Sequence, residues 1–247
     1  MAKKLQKVNR MITDDSSSFL RKYQAIVLGS RKWSYLLKYE LIMFFISPLP
    51  GALGLALRQL FYPFLLNRCG KGVVFGRSVV IRHGVKIEIG DKVVVDDGCV
   101  LDARGENNRG IVIGHRVIVG RNTVLGCKDG DILIGNNVGI GTNSMVHAVG
   151  GNVVEIQDGA LLAPYVYLVG GGTPQFEDTS IPITEQDLVY KGGIHIGRNV
   201  WLGALVTVLD VVSIGQDAVI GAGAVVTDSV AEFAIAVGVP AKVVKYR

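Results

Sequence analysis

The chain has 247 residues, is 49% hydrophobic and 19% charged, and has a mean hydropathy of +0.38, so it buries a core and is not disordered. Its 32 glycines follow no Gly-X-Y period, which excludes collagen, and Cys69, Cys99 and Cys127 lie too far apart for a CxxC zinc site or a disulfide framework. The net charge of +5 is uneven: residues 1–72 hold 12 Lys and Arg against 3 Asp and Glu, a net +9, while residues 73–247 hold 14 against 18, a net −4.

Residues 1–72 read as a basic, apolar, helical N-terminal segment after a polar opening that ends at Ser18. No charge falls between Leu41 and Leu57, but Pro48, Pro50 and Gly51 interrupt the run and Arg58 follows it. A spanning helix wants about 20 apolar residues with few breakers, so no transmembrane span is expected. A secretory signal would place its apolar core nearer Met1. Two readings stand: helices packed on the main domain, or an interfacial anchor with Phe44, Phe45, Leu57, Phe61 and Phe64 at the acyl boundary. Basic charge beside an apolar run fits an anionic membrane surface. A nucleic-acid protein ordinarily carries its positive face on the folded domain, so no nucleic-acid partner is expected. The expected location is cytoplasmic, peripheral on the inner face of the cell membrane.

From Val73 an aliphatic residue recurs every six positions, often followed by Gly or Asp. Triplets of hexapeptides start at Ile89 (IGDKVV, VDDGCV, LDA), Ile113, Ile134, Ile156, Ile196 and Ile214. So short and sustained a period means a solenoid with one strand per hexapeptide and three per coil. The aliphatic residues stack inward, coil on coil. Val93, Thr123, Ala160, Val200, Ala218 and Ala224, four positions later, also point in. The solenoid is assigned to 73–231 and a C-terminal cap to 232–247.

Only the last step, from Ile196 to Ile214, is a bare coil of three hexapeptides; every earlier step is longer, most of all the one from Ile156 to Ile196. The inserted segments always follow the third hexapeptide, so they project along one edge of the prism. Such an edge is usually the binding edge. The longest insertion, 170–193, reads as the active-site loop.

The run GIHIGRNVWLGALVTVLDVVSIGQDAVIGAGAVVTDSVAEFAIAVGVPAKVVKYR, with the loop residues SIPITEQ, resembles the hexapeptide-repeat acyltransferases, sugar and polysaccharide O-acetyltransferase branch. The resemblance covers Val73 to Arg247. It implies an all-β solenoid, a left-handed parallel β-helix, acting as a homotrimer. It implies transfer of acetyl from acetyl-CoA, with no metal, to a saccharide acceptor such as a lipid-linked or cell-surface glycan precursor. The family's site lies between adjacent subunits. By position, Trp201, Gly203, Ala204, Gly221, Ala222, Thr227 and Lys242 match its CoA-binding surface. For the Gly and Ala residues, coil geometry alone is an equal explanation. Glu177 and Asp178 of the long loop are the substrate-binding candidates.

The sequence departs from the family at three points. The catalytic histidine position of the loop holds Pro174, which takes no proton. Asp228 replaces a lysine on the donor side, and Val211 replaces a turn glycine. O-acetyl transfer needs a base within hydrogen-bond reach of the acceptor hydroxyl. Two histidines sit on the insertion edge: His195 at the loop exit, and His147, whose neighbour Val146 stacks under Leu168 so that His147 lies beneath Val169. Both stand as catalytic candidates, while His83 and His115 read as structural. Pro174 and Asp228 keep open a second function, a catalytically silent trimeric scaffold that binds a glycan or a partner enzyme. A γ-type carbonic anhydrase needs three His on one metal, and the four histidines fall in different columns of the repeat. A sugar nucleotidyltransferase needs a nucleotide domain larger than the segment 1–72.

Overall fold

The computed structural model describes residues 18–247 except 187, 190 and 191; the polar opening lies outside the described residues. Hexapeptide periodicity builds a three-faced parallel β-solenoid of about seven turns. The first face stacks seven strands, from Arg68–Cys69 through Ile87–Ile89, Ile111–Ile113, Asp131–Ile134 and Val153–Ile156 to Gly193–Ile196 and Ser213–Ile214. The second stacks nine strands, from Val74–Phe75 to Ala234–Val237 and Lys242–Tyr246, and the third seven, from Val80–Arg82 to Val225–Val226. Every neighbour is parallel except the last strand, which closes the second face antiparallel to Ala234–Val237 and shields its open edge. Left-handed coils are what the resemblance to the hexapeptide-repeat acyltransferases implies.

Many strands are only two residues long because the chain must turn a corner every six. The turn uses left-handed backbone, at Asn122, Asn137, Asn143 and Asn199 among others, and Asn tolerates it better than most residues. Coils are spaced by backbone hydrogen bonds such as Gly90 N to Ile113 O and Gly114 N to Ile134 O, both 2.8 Å. At Gly114 a Cβ would lie 2.5 Å from Gly135 O, so the corner has room only for glycine. Inside, the aliphatic columns and Val93, Thr123, Ala160, Val200, Ala218 and Ala224 are all buried. Thr123 satisfies its buried hydroxyl by donating to Gly141 O at 3.0 Å. The expected register holds: Val146 pairs Leu168 and His147 pairs Val169.

The first strand, Arg68–Cys69, lies before the assigned start at Val73: Cys69 pairs Ile89 and is followed at six-residue steps by buried Phe75 and Ile81. A cysteine in the aliphatic column hid this strand.

The N-terminal segment caps this end. It comprises α1 (Phe19–Tyr23), α2 (Trp33–Leu41) and α3 (Gly51–Phe61), with π-helical turns at Gln24–Leu28 and Ile42–Ile46. Leu28, Tyr35, Tyr39, Ile42, Tyr62 and Leu65 join the solenoid core. Tyr62 packs on Phe75 with ring centroids 5.1 Å apart and donates to Val79 O at 3.0 Å. The helices are therefore packed on the domain. Phe44, Phe45 and Phe64 nevertheless face outward, whereas Leu57 and Phe61 are half-buried.

Candidate active site

The insertions all leave the edge between the third and first faces. The long one runs from Gly170 to Gly193 and folds back on itself through an antiparallel pair, Thr173–Pro174 with Leu188–Val189. Pro174 serves that hairpin. Asp178 is spent locally: its Oδ1 accepts from the Ser180 amide at 2.9 Å and from the Ser180 hydroxyl at 2.5 Å, which holds its carboxyl below the usual range. Glu177 Oε2 accepts from the Phe176 amide at 3.2 Å. Both substrate-binding candidates thus shape the loop tip.

At the loop exit the chain re-enters the first face, and His195 stands outward on Gly193–Ile196. One coil earlier the same position is Glu155, registered directly opposite His195. His195 Nδ1 lies 3.1 Å from Glu155 Oε2, with the side chains 41% and 44% exposed. An ionised carboxylate only accepts, so Nδ1 carries a proton, and in the neutral ring Nε2 is then the nitrogen with the lone pair. The pair separates two shallow depressions. One, of about 260 Å³, is floored by Gly192, Gly193 and Val211 to Ser213. The other, of about 290 Å³, is lined by Arg109, Arg198 and Asp158.

The backbone beside His195 is strained. Val211, at the lost turn glycine, has φ +73°, a conformation that β-branched residues rarely hold. The Asp210 carboxylate fastens the turn, its Oδ1 accepting from Gly193 N at 2.9 Å and Val211 N at 3.0 Å. The other oxygen, Oδ2, is buried and has no partner.

His147 differs. It stands on the third face, half-buried, and its ring lies over Gly126: a Cβ there would come within 2.8 Å of the ring. Burial lowers its pKa, opposed by the charge of Asp102. Asp102 is itself held by Arg104 at 2.9 Å. No described residue hydrogen-bonds the His147 ring. His83 is neither exposed nor idle. It is 6% exposed and bonds Ala25 O at 3.0 Å, tying cap to solenoid. His115 is a corner residue 3.3 Å from Asp91.

The donor-side candidates occupy another edge. Trp201 is 51% exposed on the second face, and Gly203, Ala204, Gly221 and Ala222 form the stacked corner between the second and third faces. A Cβ at Gly203 would lie 2.6 Å from Ala222 N, so coil packing alone requires that glycine. Thr227 sits near the chain end, where Asp228 lies 3.6 Å from Lys242 Nζ and offsets its charge. One chain therefore does not bring the histidines and the donor corner together. Among the described residues no group of three His, Cys, Asp or Glu is placed to hold a metal. A cavity of about 380 Å³ between cap and early coils, beside Lys86 and Lys128, contains none of these candidates.

Glu155 is the residue the sequence reading missed. Its signal was present: Glu155 precedes Ile156 as His195 precedes Ile196, the same position one coil apart, but the long loop intervenes and holds the two far apart along the chain.

Fold and edge loops together define a hexapeptide-repeat β-solenoid protein. The family described as bacterial transferase hexapeptide (six repeats) matches residues 193–228. A probable acetyltransferase of Mycobacterium tuberculosis is 33% identical over 135 residues, 55% of this chain and 44% of that protein. The galactoside O-acetyltransferase of Escherichia coli is 35% identical over 115 residues, 45% of this chain and 55% of that protein. The chain thus spans about half the length of these curated relatives. Among solved structures, a mutant of AntD, an N-acyltransferase from Bacillus cereus in complex with dTDP and coenzyme A, superposes with a TM-score of 0.52 at 21% identity. It covers 78% of this chain and 88% of that one, a likeness of fold.

Proposed function

We propose that the protein is an acetyl-CoA-dependent O-acetyltransferase acting on a saccharide hydroxyl, with His195 as general base and Glu155 as the group that orients it. The observation that carries this reading is the His195–Glu155 pair at the root of the long loop. Glu155 accepts from Nδ1–H and aims Nε2 outward. Nε2 takes the acceptor hydroxyl proton as the oxygen attacks the thioester carbonyl; the C–S bond breaks, and the departing thiolate sulfur takes that proton back from Nε2. The names of the two relatives support acetyl transfer, one of them to a galactoside.

The donor surface comes from a second copy in this reading. On the second face a column runs through Ile118, Gly139, Leu161, Trp201 and Val219, with Ile118, Leu161 and Trp201 exposed. The half-buried Val100 adds to the third face. Outward aliphatic columns of this kind need cover, and a homotrimer supplies it while setting one chain's donor corner against its neighbour's insertion edge. CoA then lies along Gly203, Ala204, Gly221, Ala222 and Thr227, with Trp201 beside it and Lys242 toward its phosphates. A lipid-linked or cell-surface glycan precursor as acceptor, and a peripheral place on the inner face of the membrane, fit the basic N-terminal segment.

A second reading, a silent trimeric scaffold binding a glycan or partner enzyme, draws on Pro174 and on the Asp228–Lys242 pair. Acetyl-CoA consumption across a panel of mono- and oligosaccharides separates the two. Turnover above the no-acceptor rate supports the enzyme. Absence of both CoA binding and turnover puts the scaffold in its place.

A further inference from the structure

The N-terminal cap is folded inside out by the standards of a soluble helix, which turns its apolar stripe to the core and its polar side to water. The side of α3 that meets the solenoid is Gly54, Arg58 and then Tyr62. Arg58 is 2% exposed, its guanidinium donating to the backbone oxygens of Phe75 at 2.9 Å and Leu49 at 2.6 Å. On the opposite side Leu53 and Leu60 are 70% and 60% exposed, and Phe64 follows them outward. In α2 the inward residues are Tyr35 and Tyr39, with the Tyr35 hydroxyl donating to Leu65 O at 2.8 Å. The outward residues are Trp33 and Leu37, continued by Phe44 at 74% exposure. Arg58, Tyr35 and Tyr62 of the cap thus spend their polar atoms inside, while Trp33, Leu37, Phe44, Leu53, Leu60 and Phe64 stand in water.

We propose that this outer side of the cap is a docking face for an anionic membrane surface. Charge selects the occupant. Between residues 18 and 66 the chain has six Lys and Arg and a single acid, Glu40. Arg58 is buried; the other cations, Arg21, Arg31, Lys32 and Lys38 among them, ring the helices, and Glu40 is already engaged by the Tyr23 hydroxyl. A second copy placed on this face would set those cations against their own equivalents, whereas anionic headgroups neutralise them. Among the described residues no helix is long and apolar enough to cross a bilayer. The cap therefore lies in the interface, with aromatic and leucine side chains at the acyl boundary and lysine stems reaching to the headgroups. This inference extends the membrane placement proposed above to named residues and one lipid chemistry, and it does not depend on the transfer chemistry.

The test is co-flotation of the full-length protein with phosphatidylcholine vesicles, with and without phosphatidylglycerol. The expected result is binding that requires the anionic lipid and falls roughly tenfold or more on raising the salt to about 0.5 M. The variant Leu53→Ser/Leu60→Ser should lose roughly tenfold or more of that binding. Its thermal midpoint should not fall, since both side chains point away from the core. Acetyl-CoA consumption with a soluble acceptor should be unchanged, so failure of docking and failure of the enzyme reading are distinct results. Equal absence of wild-type protein from both vesicle types overturns the proposal. So does undiminished binding of the double variant, or a wild-type assembly larger than a trimer that the double variant abolishes, which would make a second copy the occupant.

Discussion

His147 and His195 begin from the same standing, as outward residues of strands that border the insertion edge. Their surroundings separate them. His195 faces a carboxylate in the preceding coil at 3.1 Å and borders a strained turn and an open depression. His147 lies over a glycine, half-buried, with a lowered pKa and no hydrogen-bonding partner among the described residues. In a solenoid, neighbours in space are set by register, so what a side chain does depends on the same position one coil away. Glu155 under His195 gives that imidazole a carboxylate partner; Gly126 beside His147 makes room for a ring.

That contrast is broken most directly by removing the base. His195→Ala should lower acetyl transfer by roughly 10²–10⁴-fold, the usual worth of a general base. His147→Ala should change it less than about threefold, the imidazole there having no orienting partner. Comparable losses in both variants, measured as kcat/KM with one acceptor, would erase the distinction. Glu155→Gln should cost on the order of tenfold, well short of a buried triad carboxylate, because water screens this half-exposed pair.

On the donor side, Asp228→Lys removes the carboxylate that offsets Lys242 and adds a cation. Calorimetric titration with CoA should show affinity raised by roughly threefold to tenfold at low salt, the gain shrinking as salt rises. An unchanged Kd would show that CoA phosphates do not lie at this end.

The strained turn beside His195 offers a smaller effect. Val211→Gly should stabilise the fold by about 1 kcal/mol, the left-handed penalty being released and part of it offset by glycine entropy. Denaturant unfolding reads this, and a destabilised variant would mean the valine side chain contributes packing that its exposure belies. The His147 side has its own signature in pH. His83 and His147 are both lowered by burial from 6.5, so the unfolded chain binds their protons first. Their neutral burial is therefore fully tolerated above pH 6.5, and stability falls as the pH drops from there toward their folded values. The loss of stability measured by chemical unfolding as the pH falls below 6.5 should shrink in His147→Ala.

The coil register was legible because aliphatic residues recur every six positions, down to Val146 under Leu168. The opening strand of the first coil was not, because Cys69 occupies the aliphatic place. Glu155 was hidden by the length of the loop between two equivalent positions. The cap resisted reading for a different reason. Its buried face is built from tyrosine and arginine whose polar atoms bond backbone carbonyls, so hydrophobicity points the wrong way there. His83 reads as structural from the sequence, and the packing of the cap over it shows why it is buried. This packing also rules out deletion of residues 1–72 as a clean test of membrane binding: it would uncover Phe75 and Val79, which the cap shields.

The central claim is that His195, oriented by Glu155, is the base, and that the donor comes from a neighbouring copy. A crystal structure of the CoA complex tests it most directly. The expected complex is a trimer in which pantetheine follows Gly203, Ala204, Gly221 and Ala222 of one chain and the thiol ends on the Nε2 side of its neighbour's His195. A thiol that ends beside His147, or a CoA held wholly within one chain away from both histidines, would contradict it.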